Sequence, residues 1–222
     1  MILLAVDSSG REGSLALARG EGSNLETIEV VNLDGGNFSA QLVPRIASLL
    51  TQHKFTRRDL GGFAVAVGPG SFTGLRVGIA AVKGLAEALQ KSIAAVSRLE
   101  AVARAGGKQG NVIAALDAGR RQAFVGEYKL SGETASNIKE HLVLWEELGM
   151  LAAGRPVVTP DKNVAEGLRQ SGATVLEILN PRADAIARIG WKKLAAGDVA
   201  NVATLEANYI RRTDAEILVH GK

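Results

Sequence analysis

The sequence predicts an α/β fold built from two duplicated halves, each a mixed sheet flanked by helices. Short apolar runs of strand type alternate along the chain with segments of helical period, which is typical of α/β proteins. The second half also begins like the first, because residues 3–11 (LLAVDSSGR) and 113–121 (IAALDAGRR) both read as apolar strand, Asp, small turn residues and Arg. At 222 residues and 46% hydrophobic content, the chain is long enough for two such cores.

The first half, assigned to residues 1–105, is predicted to contain five strands and two helices. The helices are recognised from apolar residues that recur every three or four positions. The strands are predicted at Ile2–Val6, Ser14–Ala18, Leu25–Val31, Phe63–Val67 and Ile93–Val96. The helices are predicted at Ser39–His53 and from just after Ser71 to about Gln90.

The second half, assigned to residues 106–222, is predicted to open on a hairpin and to continue with alternating strands and helices. Its strands are predicted at Ile113–Leu116, Ala123–Tyr128, Pro156–Thr159 and Thr174–Leu179. Its helices are predicted around Asn163–Ser171 and Asp184–Ala196, and a terminal segment follows at Leu205–Arg212. Each half therefore begins with a hairpin that carries an aspartate at its turn, Asp7 or Asp117.

Composition excludes several classes of site. The net charge is +3, with 26 Lys and Arg against 23 Asp and Glu, so a phosphate-rich partner is permitted but independent tight nucleic-acid binding is not implied. The absence of cysteine excludes a disulfide framework, a thiolate metal site and a cysteine nucleophile. The apolar run Ile2–Val6 is too short for a signal peptide or a membrane span, so we expect a cytoplasmic protein with no membrane partner.

The run GPGSFTGLRVG at residues 68–78 is the most informative stretch, because its glycines lie at a strand-to-helix junction where backbone can approach another group closely. Ser71 is a natural N-cap, and the helix amides that follow it could hold a phosphate. The spacing fits neither the dinucleotide fingerprint nor the Walker A loop. Two interpretations therefore stay open, a tight turn for helix packing or a phosphate site. The candidate phosphate-binding residues are Asp7, Ser8, Ser9, Gly68, Gly70 and Ser71.

Other catalytic arrangements have little support in the sequence. Asp7 and Asp117 could orient Mg²⁺ around a triphosphate, or they could be turn residues that accept backbone N–H bonds, and the second interpretation is favoured. The serines at positions 8, 9 and 71 have no credible histidine base, so a Ser-His-Asp hydrolase is not expected.

Four features together resemble the TsaB family: the strand that leads into Asp7, the run at 68–78, the turn DAGRRQ at 117–122 and the late Tyr209-Ile210-Arg211. The resemblance spans essentially the whole chain. It implies an actin-like (ribonuclease H-like) fold of the actin, sugar-kinase and Hsp70 superfamily, in which a nucleotide sits between the two halves. The chain departs from the family pattern at Phe38, where many relatives have His, and at Ala207, near which relatives have Pro.

The resemblance implies a non-catalytic subunit that is required for threonylcarbamoyl transfer to the adenosine next to the anticodon of tRNA. The implied partners are a TsaD-like transferase and a TsaE-like ATPase, tRNA is reached through the complex, and homodimers are also allowed. TsaD-like enzymes hold a metal through two histidines four apart, whereas His53, His141 and His220 are far apart in this sequence, so no metal site is expected. No cofactor is required by the chain itself, and ATP or ADP is allowed at the partner interface.

The resemblance further implies that the two helices of the first half pair with the equivalent helices of the partner. An apolar seam with alternating spacings of three and four runs along the second of these helices. The predicted partner-binding residues are Leu42, Val43, Ile46, Phe72, Leu75, Gly78, Ile79 and Val82. The alternative is a stand-alone ATPase or kinase that uses Asp7 and the Gly68–Gly74 loop, and a metal-independent peptidase is a more remote one.

Overall fold

The computed structural model describes residues 1–210, which divide into two compact units. Unit 1 consists of residues 1–101 and 180–207, and unit 2 consists of residues 102–179 and 208–210. The predicted terminal segment extends to Arg212, so its last two residues, like His220, lie outside the described residues.

Ten strands and six α-helices are described. The strands are β1 (Ile2–Asp7), β2 (Gly13–Glu21), β3 (Asn24–Leu33), β4 (Leu60–Gly68), β5 (Ile93–Ser97), β6 (Gly110–Gly119), β7 (Gln122–Ser131), β8 (Thr134–Leu144), β9 (Val157–Thr159) and β10 (Val175–Glu177). The helices are α1 (Phe38–Gln52), α2 (Phe72–Leu89), α3 (Arg98–Ala105), α4 (Trp145–Ala152), α5 (Lys162–Gln170) and α6 (Ala183–Ala195).

The two sheets have the same topology. In unit 1 the strand order is β3-β2-β1-β4-β5, and in unit 2 it is β8-β7-β6-β9-β10. In each sheet the first three strands of the unit form an antiparallel meander, and the remaining two pair in parallel. Because β6 occupies in its sheet the place that β1 occupies in the other, the prediction of duplicated α/β halves with mixed sheets is confirmed.

Both faces of the unit 1 sheet are buried, which explains the unbroken apolar sequence of β1. Leu4 and Val6 belong to the core shared with α1 and α2, whereas Leu3 and Ala5 belong to the core shared with α6. A strand with successive side chains buried on opposite faces reads as a continuous apolar run rather than as an alternation.

Close contacts at two glycines hold α6 against the unit 1 sheet. A Cβ added to Gly190 would lie 2.4 Å from the Ala64 Cβ, and one added to Gly20 would lie 2.4 Å from the Trp191 ring. The observed units therefore differ from the predicted halves, 1–105 and 106–222, because α6 packs on the sheet of the first unit.

In unit 2 the core lies between the sheet and the pair α4 and α5, with Val125 and Val143 of the sheet packed with Leu148 and Val164 of the helices. No bounds were predicted from the sequence for three elements, α3, α4 and β8. None of the helices described in residues 1–210 is long and apolar enough to cross a membrane.

Candidate functional site

The turn after β1 is buried and internally bonded. Asp7, Ser8 and Ser9 are only 6%, 2% and 1% exposed. The Asp7 carboxylate accepts hydrogen bonds from the Ser9 backbone N–H at 2.9 Å and from the Ser9 hydroxyl. The Ser8 hydroxyl donates to the Gly74 carbonyl at 2.7 Å. The polar groups of this turn are thus engaged within unit 1, as buried polar groups generally are.

The glycines of the run at 68–78 lie against this turn. A Cβ on Gly70 would come within 2.3 Å of the Ser9 carbonyl oxygen, and one on Gly74 within 2.0 Å of the Ser8 carbonyl oxygen. A Cβ on Gly78 would come within 2.2 Å of the Ser8 hydroxyl oxygen. Separations below 3.0 Å are closer than any real Cβ contact, so these three positions require glycine for packing.

The start of α2 joins the loop to the turn. The Ser71 backbone N–H donates to the Ser9 carbonyl at 2.7 Å, and the Ser71 hydroxyl accepts from the Gly74 N–H at 3.3 Å as the predicted N-cap. Gly68 has φ +119°, a backbone conformation that favours glycine. The structure thus brings the six predicted phosphate-binding residues together where the turn after β1 meets the loop before α2, and only Ser71 of the six is exposed. Phosphate binding by this set stays a prediction.

Most of the predicted partner-binding residues are in the interior of unit 1. Five of these side chains are 5% exposed or less, namely Leu42, Ile46, Leu75, Ile79 and Val82, and Gly78 is buried against Ser8. Their physical role is therefore in the core, because α1 and α2 turn these positions toward the sheet and toward each other. Of the eight, only Val43, at 57% exposed, and the half-buried Phe72 reach the surface.

Phe38, where the chain departs from the family pattern, is also part of this packing. It is 8% exposed, and a Cβ on Gly13 would lie 2.7 Å from its ring. The ring therefore fills the space beside the β1–β2 hairpin as an apolar group.

The corresponding turn in unit 2 is more open. Asp117 is exposed, and its carboxylate accepts from the Gly119 N–H at 2.7 Å. Its own backbone N–H donates to the carboxylate of Asp161 at 2.7 Å, at the start of α5. Asp117 thus makes the hydrogen bonds of a turn residue. Arg120 and Arg121, which follow Gly119, close the β6–β7 hairpin with φ of +55° and +57°.

The two described histidines each lie beside a glutamate. His53 contacts the Glu29 carboxylate at 2.5 Å, and the His141 Nε2 lies 4.0 Å from the Glu127 carboxylate, which is itself bonded to Arg155 at 2.6 Å. Burial lowers the pKa of His141, with a smaller contribution from Lys139. Within residues 1–210, no group of three or more His, Cys, Asp or Glu side chains is arranged to hold a metal ion.

Comparisons with known proteins identify the family. The family model described as TsaD, tRNA N6-adenosine threonylcarbamoyltransferase, matches residues 34–166. The tRNA threonylcarbamoyladenosine biosynthesis protein TsaB of Bacillus subtilis (strain 168) is 31% identical over 97% of this chain and 96% of its own length. The TsaB of Escherichia coli (strain K12) is 26% identical over the full length of both chains.

Solved structures agree with this assignment. YeaZ from Pseudomonas aeruginosa superimposes with a TM-score of 0.77 at 27% identity, covering 94% of this chain and 99% of that chain. A P. aeruginosa protein described as similar to peptidase YeaZ superimposes with a TM-score of 0.79, also at 27% identity, covering 95% and 99%. The chain carries the sequence signature and the repeated sheet topology, and its relatives match it over nearly their whole length. This chain therefore belongs to the TsaB family.

Proposed function

We propose that this chain is a non-catalytic scaffold subunit for threonylcarbamoyl transfer to the adenosine beside the anticodon of tRNA. In this role it binds a TsaD-like transferase and, in that complex, a TsaE-like ATPase, and it reaches tRNA through the complex in the cytoplasm. The observation that carries the proposal is the full-length match to TsaB, a tRNA threonylcarbamoyladenosine biosynthesis protein.

The geometry of the signature run supports a scaffold rather than a catalyst. The Ser8 hydroxyl donates to the Gly74 carbonyl and the Ser9 hydroxyl donates to the Asp7 carboxylate, so both hydroxyls are engaged inside unit 1. Because the two serines are only 2% and 1% exposed, neither is presented to a substrate as a nucleophile. The run fixes the position of α2 on the β1–β2 turn, and its role in this proposal is to hold a helix pair in a defined orientation.

We assign the partner surface to the outer side of α1 and α2. On α1 this side carries Ala40, Val43 and Ala47, which recur at helical spacing and are exposed. On α2 it carries exposed Ala80 and Gly84, and a Cβ on Gly84 would meet no atom within 4 Å. Small side chains let the backbones of neighbouring helices approach closely, so this surface suits helix packing with a TsaD-like subunit or with a second copy of this chain.

Val43→Asp tests the surface. A charge placed in an apolar interface costs several kcal/mol, so we expect the variant to lose at least tenfold in affinity for the TsaD-like subunit in titration calorimetry. Its unfolding midpoint should stay unchanged, because Val43 is 57% exposed in the free chain. Val199→Asp is the matched control, since Val199 is 48% exposed and lines a cavity with Trp191 and Leu194 of α6. Equal affinities of the two variants would place the interface elsewhere.

The function itself is tested by reconstitution. ATP hydrolysis and tRNA threonylcarbamoylation are measured with the chain alone, with the TsaD-like and TsaE-like proteins, and with each component omitted in turn. We expect modification only when the chain and the transferase are both present. Robust ATP turnover by the chain alone would instead favour the stand-alone ATPase or kinase.

A further inference from the structure

The start of α3 contains an arginine whose charge is not balanced inside unit 1. Arg98 follows β5 directly and is half-buried. Its Nη2 donates to the Asn180 side-chain oxygen at 2.9 Å, and its Nε is shielded from solvent without a hydrogen-bond partner. An orphaned N–H on a permanently charged guanidinium is costly, and a water or an ion that completes the site is one explanation for such a group.

Two segments meet at this guanidinium, and each brings another arginine. A Cβ on Gly10 would lie 3.6 Å from the Arg98 Nη2, so Arg98 contacts the β1–β2 turn next to Arg11. Asn180 holds Arg98 from the other side and is followed by Arg182, the residue before α6. Arg11 and Arg182 both have exposed side chains.

No carboxylate neutralises these arginines within the part of the chain that the structure describes. The acidic residues on the same segments are Asp7, Glu12, Glu100 and Asp184, and none of them forms an ion pair with the three arginines at 4.0 Å or less. The Asp7 carboxylate is instead bonded to the backbone and hydroxyl of Ser9. Three like charges on adjoining segments repel one another, and an anion bound among them would relieve this repulsion.

The position in the fold also suits an anion. Arg98 lies just after the carboxyl end of β5, a parallel strand of the unit 1 sheet, and ligands of open α/β sheets bind at this edge. Guanidinium groups bind phosphate oxygens through paired N–H donors.

We propose that Arg98, held by Asn180 and flanked by Arg11 and Arg182, forms a binding site for a phosphate group. The phosphate belongs either to a free nucleotide or to an RNA backbone. The site uses none of the predicted residues Asp7, Ser8, Ser9, Gly68, Gly70 and Ser71, although it adjoins them, because Gly10 and Arg11 directly follow Ser9 on the same turn. It does not depend on the outer side of α1 and α2.

The test compares the unfolding midpoint of the full chain in low-millimolar potassium phosphate and in potassium chloride of equal ionic strength. We expect phosphate to raise the midpoint of the wild type, and Arg98→Gln and Arg182→Gln to lose most of this rise. Arg188→Gln, an exposed arginine in the middle of α6, is the matched control and should respond like the wild type. Because phosphate also stabilises proteins generally by exclusion from their surfaces, the difference between variants decides the question.

A second measurement distinguishes the two phosphate sources and does not depend on how well Arg98→Gln folds. ADP is titrated by calorimetry and a fluorescently labelled tRNA by anisotropy, each with wild type, Arg182→Gln and Arg188→Gln. A loss of at least fivefold in ADP affinity for Arg182→Gln alone identifies a nucleotide site, and the same loss for tRNA alone identifies an RNA contact. Equal responses of all three proteins to phosphate, ADP and tRNA would overturn the proposal.

Discussion

At the level of single residues, the glycines of the 68–78 run pack tightly against the Ser8-Ser9 turn. Gly74 faces a backbone carbonyl oxygen, which cannot move aside as the end of a flexible side chain can. Gly84 lies in the same helix and faces open space. The two glycines therefore have different physical reasons for being there.

Gly74→Ala should destabilise the chain by about 2–3 kcal/mol, because its methyl group would overlap the Ser8 carbonyl and force α2 away from the turn. Gly84→Ala should stabilise it by about 0.5–1 kcal/mol, because alanine loses less backbone entropy in a helix. Urea unfolding of both variants measures the two free energies. Similar values for the two would mean that the turn can shift at little cost.

At the level of elements, helical periodicity located the apolar faces of α1 and α2 but could not say what covers them. Leu75, Ile79 and Val82 fall on the predicted seam, and the structure places all three in the interior. A seam against a partner and a seam against the chain's own sheet have the same period, so the sequence leaves this choice open. Leu75→Asp or Ile79→Asp consequently tests the core and should unfold the chain rather than only detach a partner.

Two of the elements without predicted bounds, β8 and α3, have weak sequence patterns for physical reasons. The strand β8 is the edge strand of its sheet, most of its side chains are exposed or half-buried, and it therefore shows no clear alternation of apolar and polar residues. The helix α3 has only eight residues and follows β5 without a loop. Arg98 at its start was not recognised as a candidate site residue, because a single arginine beside a strand is not a motif.

We expect the stability of the chain to depend on pH through His141 of β8. His141 lies opposite Val125 of β7, and burial lowers its pKa from the ordinary value of 6.5, with Lys139 contributing and Glu127 opposing. Just below pH 6.5 the unfolded chain thus binds more protons at this residue than the folded chain does. The free energy of unfolding should therefore fall as the pH drops from above 6.5 toward the lowered pKa.

Urea unfolding between pH 7.5 and pH 5.5 measures this loss. His141→Gln removes the titrating group, so we expect its stability to decline less than that of the wild type over the same interval. Parallel declines in the two proteins would contradict a role for His141.

At the level of the whole molecule, unit 1 is assembled from two separate stretches of chain. Residues 1–101 supply the sheet with α1 and α2, and residues 180–207 return to supply α6. The sequence predicted α6 as a helix but not the sheet on which it packs, because that choice depends on close contacts such as Trp191 on Gly20. The duplicated topology, by contrast, was predictable, because the repeated hairpin is local in sequence.

A fragment of residues 1–105 should therefore fail to fold, since one apolar face of its sheet would be left uncovered. Residues 1–101 joined by a short Gly/Ser linker to residues 180–207 should unfold cooperatively in urea, because Arg98 and Asn180 are in contact and the linker has little distance to span. Circular dichroism of the two fragments measures the difference. A cooperative transition in the 1–105 fragment would show that α6 is dispensable for unit 1.

The split origin of unit 1 also has a consequence for its synthesis on the ribosome. The strands of this unit emerge with residues 1–101, but α6, without which the unit is not complete, emerges only after residues 102–179 have been made. At about 5–20 residues per second this interval lasts on the order of ten seconds. Throughout it, the alanine-rich face formed by β1, β2, β4 and β5 is open to other nascent chains, and a chaperone that binds short apolar strands has its main opportunity then.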